Sequence, residues 1–216
     1  MKEIIKAPIT LVIIAHNAAD KLKAVVEHHR PYVSEVVICD QGSTDNTYEV
    51  ASEIADLVVK RRCKGYSDPD RDWAYSIGNQ PYILAMDDDE FLSQEALDAL
   101  PDLIGAGIEA IWFKRANFVD EINISPSFGD DPQCRLWKRG TIFWPSQMHT
   151  FPSVKGPTAT VLFSNLWMNH YRTLEGLKKA NYSRNSVAPP QIREMQDLFV
   201  QKVERYLAEQ RATNAK

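Results

Sequence analysis

The chain of 216 residues contains only three cysteines, and none of them forms a CxxC pair. An odd number of thiols without that spacing argues against a disulfide framework and against a thiolate zinc site, and it favours a reducing compartment. No apolar run approaches the roughly 18 residues that a membrane-spanning helix needs. The apolar stretch at residues 9–14 is too short for the core of a signal peptide, so we expect a cytoplasmic protein without a transmembrane segment.

Basic residues are not in excess either. Lys and Arg number 25 against 29 Asp and Glu, which gives a formal charge of -4 at pH 7. Domains that bind nucleic acid usually carry a net basic surface, so a nucleic-acid partner is not indicated, while local basic patches stay open. The sequence has neither GxGxxG nor GxxxxGK[ST], which removes the main support for a dinucleotide-binding Rossmann site and for a P-loop.

What the sequence does have is enough apolar residues, 44% of the chain, to bury one core. Over the first hundred residues, short apolar runs alternate with helical patterns, which predicts an α/β fold with a mostly parallel sheet flanked by helices. The predicted strands are residues 10–15, 36–39, 57–60 and 82–86, and the predicted helices are 18–29, 48–54, 72–78 and 95–103. Ser93 caps the last helix, which Pro101 breaks or bends.

The second half of the chain has a different character. Residues 110–114 and 117–119 are predicted strands. Residues 126–157 are rich in Pro, Gly and aromatic residues, which predicts irregular structure and short strands with functional loops. Two closing helices are expected at 173–186 and 190–209. No linker divides the chain, so we expect a single domain over residues 1–216.

The last predicted helix carries an apolar stripe at helical spacing. Its members are Ile192, Met195, Phe199, Val203 and Tyr206. Packing against the body of the protein is the favoured interpretation, and a dimer contact or a membrane-surface contact is the alternative.

Four acidic residues, Asp87, Asp88, Asp89 and Glu90, follow a predicted buried strand directly. Open parallel sheets bind ligands at the carboxyl ends of their strands. In an extended segment alternate side chains point the same way, so Asp87 and Asp89 are placed to share a hard divalent cation, which would relieve their mutual repulsion. The alternative is a solvated acidic turn before the next helix.

Two other strand ends carry polar residues. Asp40 ends the second predicted strand, and His16 and Asn17 follow the first. Taken alone, Asp40 is better explained by an ordinary strand-to-helix turn, in which Gly42 supplies a permissive dihedral angle and Thr44 or Asp45 caps the helix. Because a doubly wound sheet brings these strand ends to one edge, their convergence predicts a ligand site there.

With these segments identified, the sequence resembles the inverting glycosyltransferases of the GT-A fold, family 2, particularly the type that builds the lipopolysaccharide core. The resemblance lies in TLVIIAHNAADKL, EVVICDQGSTDNT, DRDWAYSIGNQPYILAMDDDEFLS and NHYRTLEGLKKANYS, in the family's order and spacing. It is good over residues 8–100 and weaker to about residue 186.

The resemblance implies a binding site for a nucleotide-sugar donor, and it indicates that the nucleotide is UDP. Ala15, His16, Asn17 and Asp40 would hold the base and ribose, and Arg71 would contact the nucleotide or its diphosphate. Asp87, Asp88 and Asp89 would be the DxD motif, in which Asp87 and Asp89 hold Mn²⁺ or Mg²⁺ on the diphosphate. His170 matches a family position that reaches the metal or the diphosphate; the alternative is a packed residue at a strand end.

Inverting transfer also requires a general base, because an acceptor hydroxyl has a pKa far above 7. The segment GDDPQCRLWKRG resembles the family's segment after its catalytic Asp, which makes Asp131 the first candidate and Asp130 the second. A turn at Asp131 and Pro132 is the alternative. His149 lies where relatives have His followed by Glu, and here Thr150 follows it.

Three further residues are expected in the acceptor cleft. Lys178 and Tyr182 match the family's Lys and Tyr in the helix after NHY. Trp144 is a candidate for stacking on a sugar face, with core packing as the alternative.

The sequence therefore predicts a metal-dependent inverting glycosyltransferase, with residues 1–100 binding the donor, 101–172 the acceptor and 173–216 forming closing helices. The expected acceptor is a hydroxyl of a glycan, a lipopolysaccharide or another lipid-linked molecule, and a modified nucleobase is not excluded. The expected location of the protein is the cytoplasm, with the inner face of the membrane as an alternative. The alternatives are a nucleotidyltransferase and a catalytically degenerate protein that binds sugar nucleotides or carbohydrate.

Overall fold

The computed structural model describes residues 5–62, 68–129, 131–146, 151–156, 158–185 and 190–214. Its first half alternates strands and helices as the sequence predicts. The elements are β1 (Ala7–Ala15), α1 (Leu22–His29), β2 (Val33–Asp40), α2 (Thr47–Ile54), β3 (Leu57–Lys60), α3 (Asp68–Ser76), β4 (Tyr82–Met86), β5 (Glu90–Leu92) and α4 (Gln94–Gly105). The strands predicted at 57–60 and 82–86 have these bounds in the structure.

The second half contains strands followed by two closing helices. Its elements are β6 (Ala110–Val119), β7 (Ile122–Asn123), α5 (Ser125–Phe128), β8 (Gln133–Lys138), β9 (Ile142–Phe143), β10 (Ser153–Val154), β11 (Val161–Arg172), α6 (Leu174–Asn185) and α7 (Pro190–Asn214). The two strands predicted at 110–114 and 117–119 are one continuous strand, β6. The segment 126–157 contains the short strands β8, β9 and β10, in agreement with the prediction of short strands there.

The main sheet has the order β3-β2-β1-β4-β8-β6-β11-β5, and β7 pairs with β6. The strands β3, β2, β1 and β4 are parallel. The strand β8 runs antiparallel to both of its neighbours, β4 and β6, while β6 and β11 are parallel to each other. The predicted α/β fold is confirmed, and the antiparallel pairs belong to its second half.

Apolar clusters cover both faces of this sheet. One contains Leu11, Ile13, Val25 and Leu97 and joins the sheet to α1 and α4. The other contains Val12 and Tyr75 and joins it to α3. Strand β1 is buried at nearly every position, which explains why its sequence is a continuous apolar run rather than an alternating one.

Helix α4 has the predicted cap, and it continues past its proline. Ser93 caps the helix as predicted, because its Oγ accepts a hydrogen bond of 3.1 Å from Ala96 N. Pro101 does not end the helix, which continues to Gly105.

The closing helix α7 packs against the end of the sheet. Val203 and Leu207 lie in a cluster with Val119, Ile124 and Leu177. Phe199 and Tyr206 of the predicted stripe contact the ring of Phe128. Met195, with 66% of its surface exposed, lies outside this packing. Among the described residues, no helix is both long and apolar enough to cross a membrane.

Candidate active site

Three strand ends meet at one edge of the sheet, as the sequence predicts. Ala15 at the end of β1 lies beside Asp40 at the end of β2. On its other side, Ile13 lies beside Met86, the last residue of β4. The loops that carry His16, Asp40 and the acidic segment therefore leave the sheet side by side.

Hydrogen bonds tie the loops after β1 and β2 together. Asn17 adopts a positive φ of 52°, and its Oδ1 accepts a hydrogen bond of 2.8 Å from Thr44 N. His16 Nδ1 donates to the carbonyl oxygen of Gln41 at 3.1 Å. Both His16 and Asn17 are exposed, so they form an open rim at this edge.

Asp40 is buried below this rim. Its Oδ1 accepts a hydrogen bond of 3.0 Å from Ser43 N, so it also stabilises the turn that follows β2. The neighbouring Gln41 donates from Nε2 to Asp70 Oδ2 at 2.8 Å, and Arg61 forms an ion pair of 2.7 Å with Asp70 Oδ1. The buried Asp70 in α3 is a charged residue of this region that the sequence analysis does not single out.

Arg71 lies over a ring of the aromatic core, and its charge acts on Asp87. Its guanidinium carbon is 4.9 Å from the centroid of the Trp144 ring, and its charge contributes to lowering the pKa of Asp87. Trp144 itself is only 4% exposed and packs against Tyr75 with ring centroids 5.6 Å apart. This enclosure favours core packing, the alternative interpretation of Trp144, over stacking on a sugar.

Asp87 is partly exposed at the carboxyl end of β4. Its Oδ2 accepts a hydrogen bond of 3.1 Å from Arg135 Nη2. Burial opposes ionisation of this carboxyl, but the charges of Arg135 and then Arg71 outweigh it and hold its pKa far below the ordinary value. Asp87 is consequently anionic at neutral pH.

Asp88 differs from its neighbours in its electrostatics. Burial, and then the negative charge of Asp89, raise the pKa of Asp88 to about 7. The two flanking carboxyls, both with lowered pKa values, are therefore the stronger anions of the segment.

Asp89 and His170 face each other at a distance that requires a proton or a cation between them. His170 Nδ1 lies 2.7 Å from Asn117 Oδ1, which accepts only if Nδ1 carries the proton. Burial, followed by the charge of Arg172, lowers the pKa of His170, so the imidazole is neutral and Nε2 presents a lone pair. That lone pair faces Asp89 Oδ1 at 3.2 Å.

Two facing lone pairs repel unless a cation or a proton lies between them. Among the described residues, neither Asp89 Oδ1 nor His170 Nε2 has a hydrogen-bond partner. An imidazole whose other nitrogen donates to an amide oxygen is the usual arrangement of a metal-ligating histidine. The residues present therefore fit a divalent cation.

The described residues do not form a ready-made metal cluster of three or more His, Cys, Asp or Glu side chains. Ions that act on phosphates are commonly held by one or two carboxylates, with the remaining ligands supplied by water and by the substrate. A site that is completed by a diphosphate is consistent with this finding.

Asp131, the first candidate for the base, lies in the same charged region. Its Oδ1 accepts a hydrogen bond of 2.7 Å from Gln133, and its Oδ2 accepts one of 2.9 Å from Arg115 Nε. Asn117 Nδ2 also approaches Oδ2, at 3.4 Å. Burial would raise the pKa of Asp131, but the charge of Arg115 lowers it, so the carboxylate stays ionised.

The remaining predicted cleft residues lie apart from this cluster or outside the description. Lys178 forms an ion pair with Glu204 and so links α6 to α7 rather than extending freely into the site. Asp130 and His149 lie outside the described residues, and Tyr182 lies in α6 with a side chain that is not described. The sequence analysis gives Glu90 no separate role, and it does not single out Arg115, Arg135 and Arg172, which also belong to this charged region.

Paired carboxylates, a histidine and arginines thus lie together at the edge of the sheet where open α/β sheets bind their ligands. The sequence pattern of glycosyl transferase family 2 matches residues 10–144, which is more than half of the chain. The chain therefore belongs to glycosyl transferase family 2. Membership of this family does not favour a nucleotidyltransferase.

Two curated relatives match shorter parts of the chain. An uncharacterized glycosyltransferase of Rickettsia bellii is 30% identical over 100 residues, which are 46% of this chain and 34% of the relative. The UDP-Glc:alpha-D-GlcNAc-diphosphoundecaprenol beta-1,3-glucosyltransferase WfaP of Escherichia coli is 32% identical over 90 residues, 38% of this chain and 36% of that enzyme. The matches thus span about a third of the length of these relatives.

Solved structures share the fold over nearly the whole chain. TarS 1–349 of S. aureus in complex with UDP superposes with a TM-score of 0.56 and 12% identity, covering 91% of this chain and 70% of that one. Its complex with UDP-GlcNAc gives a TM-score of 0.55 with the same coverage and 12% identity. At this level of identity the likeness shows the GT-A fold.

Proposed function

We propose that this chain transfers a sugar from a UDP-sugar to a hydroxyl group of a glycan, with a divalent cation and with inversion at the anomeric carbon. The observation that carries the proposal is the approach of Asp89 Oδ1 to His170 Nε2 at 3.2 Å, next to the anionic Asp87. This arrangement fits a metal-bound diphosphate at the carboxyl end of β4.

The donor would lie across the three strand ends. His16 and Asn17 form an exposed rim suited to the base, and Asp40 below them is within the turn that would receive the ribose. Arg71 and Arg135 supply positive charge beside Asp87, where the diphosphate would be held. UDP is the proposed nucleotide because the Escherichia coli relative is named for UDP-Glc.

Asp89 and His170, joined by Asp87 once a diphosphate completes the site, would hold the cation, Mn²⁺ or Mg²⁺. When bound, such an ion offsets the negative charge that grows on the departing diphosphate. Asn117 orients His170 because its Oδ1 accepts a hydrogen bond from His170 Nδ1, and Arg172 orients Asp89 through an ion pair of 3.3 Å with Oδ2.

Asp131 would act as the general base. The acceptor oxygen forms a bond to the anomeric carbon while the bond from that carbon to the diphosphate oxygen breaks. The hydroxyl proton passes to the Asp131 carboxylate, and the nucleoside diphosphate leaves with the bonding electron pair. Arg115 keeps the carboxylate ionised and fixed for this step.

The acceptor that we propose is a lipid-linked glycan. The Escherichia coli relative is named for a GlcNAc-diphosphoundecaprenol acceptor, and its match to this chain supports that class. A sugar of the lipopolysaccharide core presents the same hydroxyl chemistry and is the second candidate. Such acceptors place the reaction at the cytoplasmic face of the membrane.

Calorimetric titration with UDP, GDP, CDP and dTDP, each with and without Mn²⁺, tests this proposal. We expect UDP to bind selectively and only when Mn²⁺ is present, and to stabilise the folded protein by about 2.7 kcal/mol at a concentration of about 100 Kd. Binding of no nucleotide, or binding that ignores the metal, would contradict the proposal. Tight binding of the UDP-sugar without hydrolysis or transfer would instead identify a degenerate transferase.

A further inference from the structure

Glu90 is a completely buried carboxylate, with 0% of its surface exposed, at the start of β5. Its Oε1 accepts hydrogen bonds from Arg115 Nη1 at 3.0 Å and from Arg135 Nη2 at 2.6 Å. Its Oε2 accepts a hydrogen bond of 3.1 Å from Asp87 N. In the strand pairing it lies directly opposite His170. The proposed chemistry assigns no role to this residue.

Each arginine that binds Glu90 also binds a carboxylate of the proposed reaction. Arg135 Nη2 donates to Asp87 Oδ2 at 3.1 Å, and Arg115 Nε donates to Asp131 Oδ2 at 2.9 Å. The result is an unbroken series of ion pairs from Asp87 through Arg135, Glu90 and Arg115 to Asp131. It crosses from the loop after β4 to β8, β5 and β6 and ends at Asp131, just before β8.

We propose that Glu90 is a positioning residue that sets the separation between the metal-holding Asp87 and the base Asp131. This inference rests on the proposed function. Glu90 binds both arginines through the same oxygen, so one buried carboxylate fixes two guanidiniums whose like charges repel each other. The arginines in turn fix the two reacting carboxylates.

Loss of the charge on Glu90 would redistribute these contacts. Arg135 is 1% exposed and cannot find water as a replacement partner, so it would bind Asp87 more closely and compete with the cation for that carboxylate. Arg115 would likewise be left with Asp131 alone. Both the metal site and the base would be displaced, although neither is substituted.

The variant Glu90→Gln tests the inference, because it removes the charge and keeps the shape of the side chain. The readouts are the affinity for Mn²⁺ in the presence of UDP, by calorimetry, and the single-turnover rate of sugar transfer or donor hydrolysis. We expect the affinity for Mn²⁺ to fall by roughly 10- to 100-fold, the range found when groups that orient metal ligands are removed. Transfer at saturating metal and donor should also slow, which shows displacement of the base.

The matched control is Glu109→Gln. Glu109 is also paired, with Lys138 at 3.5 Å, but it precedes β6 at the opposite end of that strand from Asn117. We expect this variant to bind Mn²⁺ and UDP as the wild type does. An equal loss of affinity in both variants would indicate a general effect of lost charge and would overturn the inference.

Two further outcomes separate the inference from the proposed function. Wild-type protein that binds no UDP in the presence of Mn²⁺ would overturn both. Wild-type binding with an unaffected Glu90→Gln variant, even one with a lower melting temperature, would overturn the inference alone. If Glu90→Gln fails to fold, Glu90→Asp decides, because it keeps the charge and shortens the reach: unchanged Mn²⁺ affinity in that variant would likewise overturn the inference.

Discussion

Asp89 and His170 approach each other to 3.2 Å between Oδ1 and Nε2, although they lie on different elements that are distant in the sequence. The contact exists because β5, which follows the acidic segment directly, pairs antiparallel with β11 and sets Glu90 opposite His170. The backbone adds to it, since Tyr171 N donates a hydrogen bond of 2.9 Å to Asp89 O. The pairing of two strands thus brings the Asp89 carboxylate to the imidazole.

The variant Asp89→Ala is expected to abolish metal-dependent turnover of the donor, with a loss of at least about 100-fold, because it removes one of the proposed protein ligands of the cation. Donor hydrolysis at increasing Mn²⁺ concentration measures this. Asp98→Ala, at an exposed position of α4, is the control and should retain activity. Unchanged activity of Asp89→Ala would refute the assignment of the metal site.

The variant Asp131→Asn should leave binding of the UDP-sugar nearly intact and slow transfer by about 10²- to 10⁴-fold, the usual contribution of a general base. Calorimetry and single-turnover kinetics on the same preparation separate the two effects. Asn retains an oxygen that can accept from Arg115, so the fold should tolerate the change. A parallel loss of binding and transfer would show that Asp131 is structural.

The variant Trp144→Ala should reduce the free energy of unfolding by about 3 to 5 kcal/mol, as expected for a large aromatic side chain removed from a core. The ring packs against Tyr75 and Trp137, and Arg71 lies over it. Chemical denaturation measures the effect, with Trp167→Ala at a partly exposed position as the comparison. Normal stability combined with weaker sugar binding would restore the stacking role.

Stability should fall in mild acid because of His29 at the end of α1. Burial lowers the pKa of His29 from 6.5 to about 3. Its Nδ1 donates to Val25 O at 2.7 Å, and its Nε2 accepts from Leu92 N at 3.2 Å, so the neutral ring satisfies both neighbours. Below pH 6.5, His29 is protonated in the unfolded chain but stays neutral in the folded protein. The free energy of unfolding therefore decreases as the pH falls from 6.5 towards 3.

For this histidine the loss amounts to about 2 kcal/mol between pH 7 and pH 5, at about 1.36 kcal/mol for each unit below the unfolded pKa. Urea denaturation at both pH values measures it. His29→Gln should be less stable at pH 7 but should lose less on acidification, whereas His16→Gln, at an exposed position, should keep the wild-type difference. An identical pH dependence in His29→Gln would contradict the prediction.

The first half of the fold was predictable because β1, β2 and β4 are buried on both faces and their sequences are short continuous apolar runs. The position of strand β8 was not predictable, because its sequence QCRLWK contains Arg135, and a charged residue normally indicates an exposed position. Only the carboxylates of Asp87 and Glu90, supplied from far along the chain, allow that arginine to lie in the sheet. Strand β11 has an irregular pattern of exposure and gave no clear period.

The same distinction applies to the site. Asp40 and Asp87 directly follow or end apolar runs, so the sequence was sufficient to place them at strand ends. The rule that ligands bind at the carboxyl ends of parallel strands then made them candidate site residues. The pairing of Glu90 with Arg115 and Arg135 depends on which strands are neighbours in the second half of the sheet. Local pattern contains no information about that order, and the fate of Trp144 was undetermined for the same reason.

Strand β8 hydrogen-bonds to β4 on one side and to β6 on the other, so the donor-side strands and the strands that carry Arg115 and Asn117 form a single sheet. A hinge between them would have to break a backbone ladder. Substrate capture by closure of two lobes is therefore disfavoured in this architecture. The spacing between the ends of β1, β2 and β4 and Asp131 is instead a fixed dimension of the scaffold, and under the proposed function an acceptor would have to fit that gap as it stands.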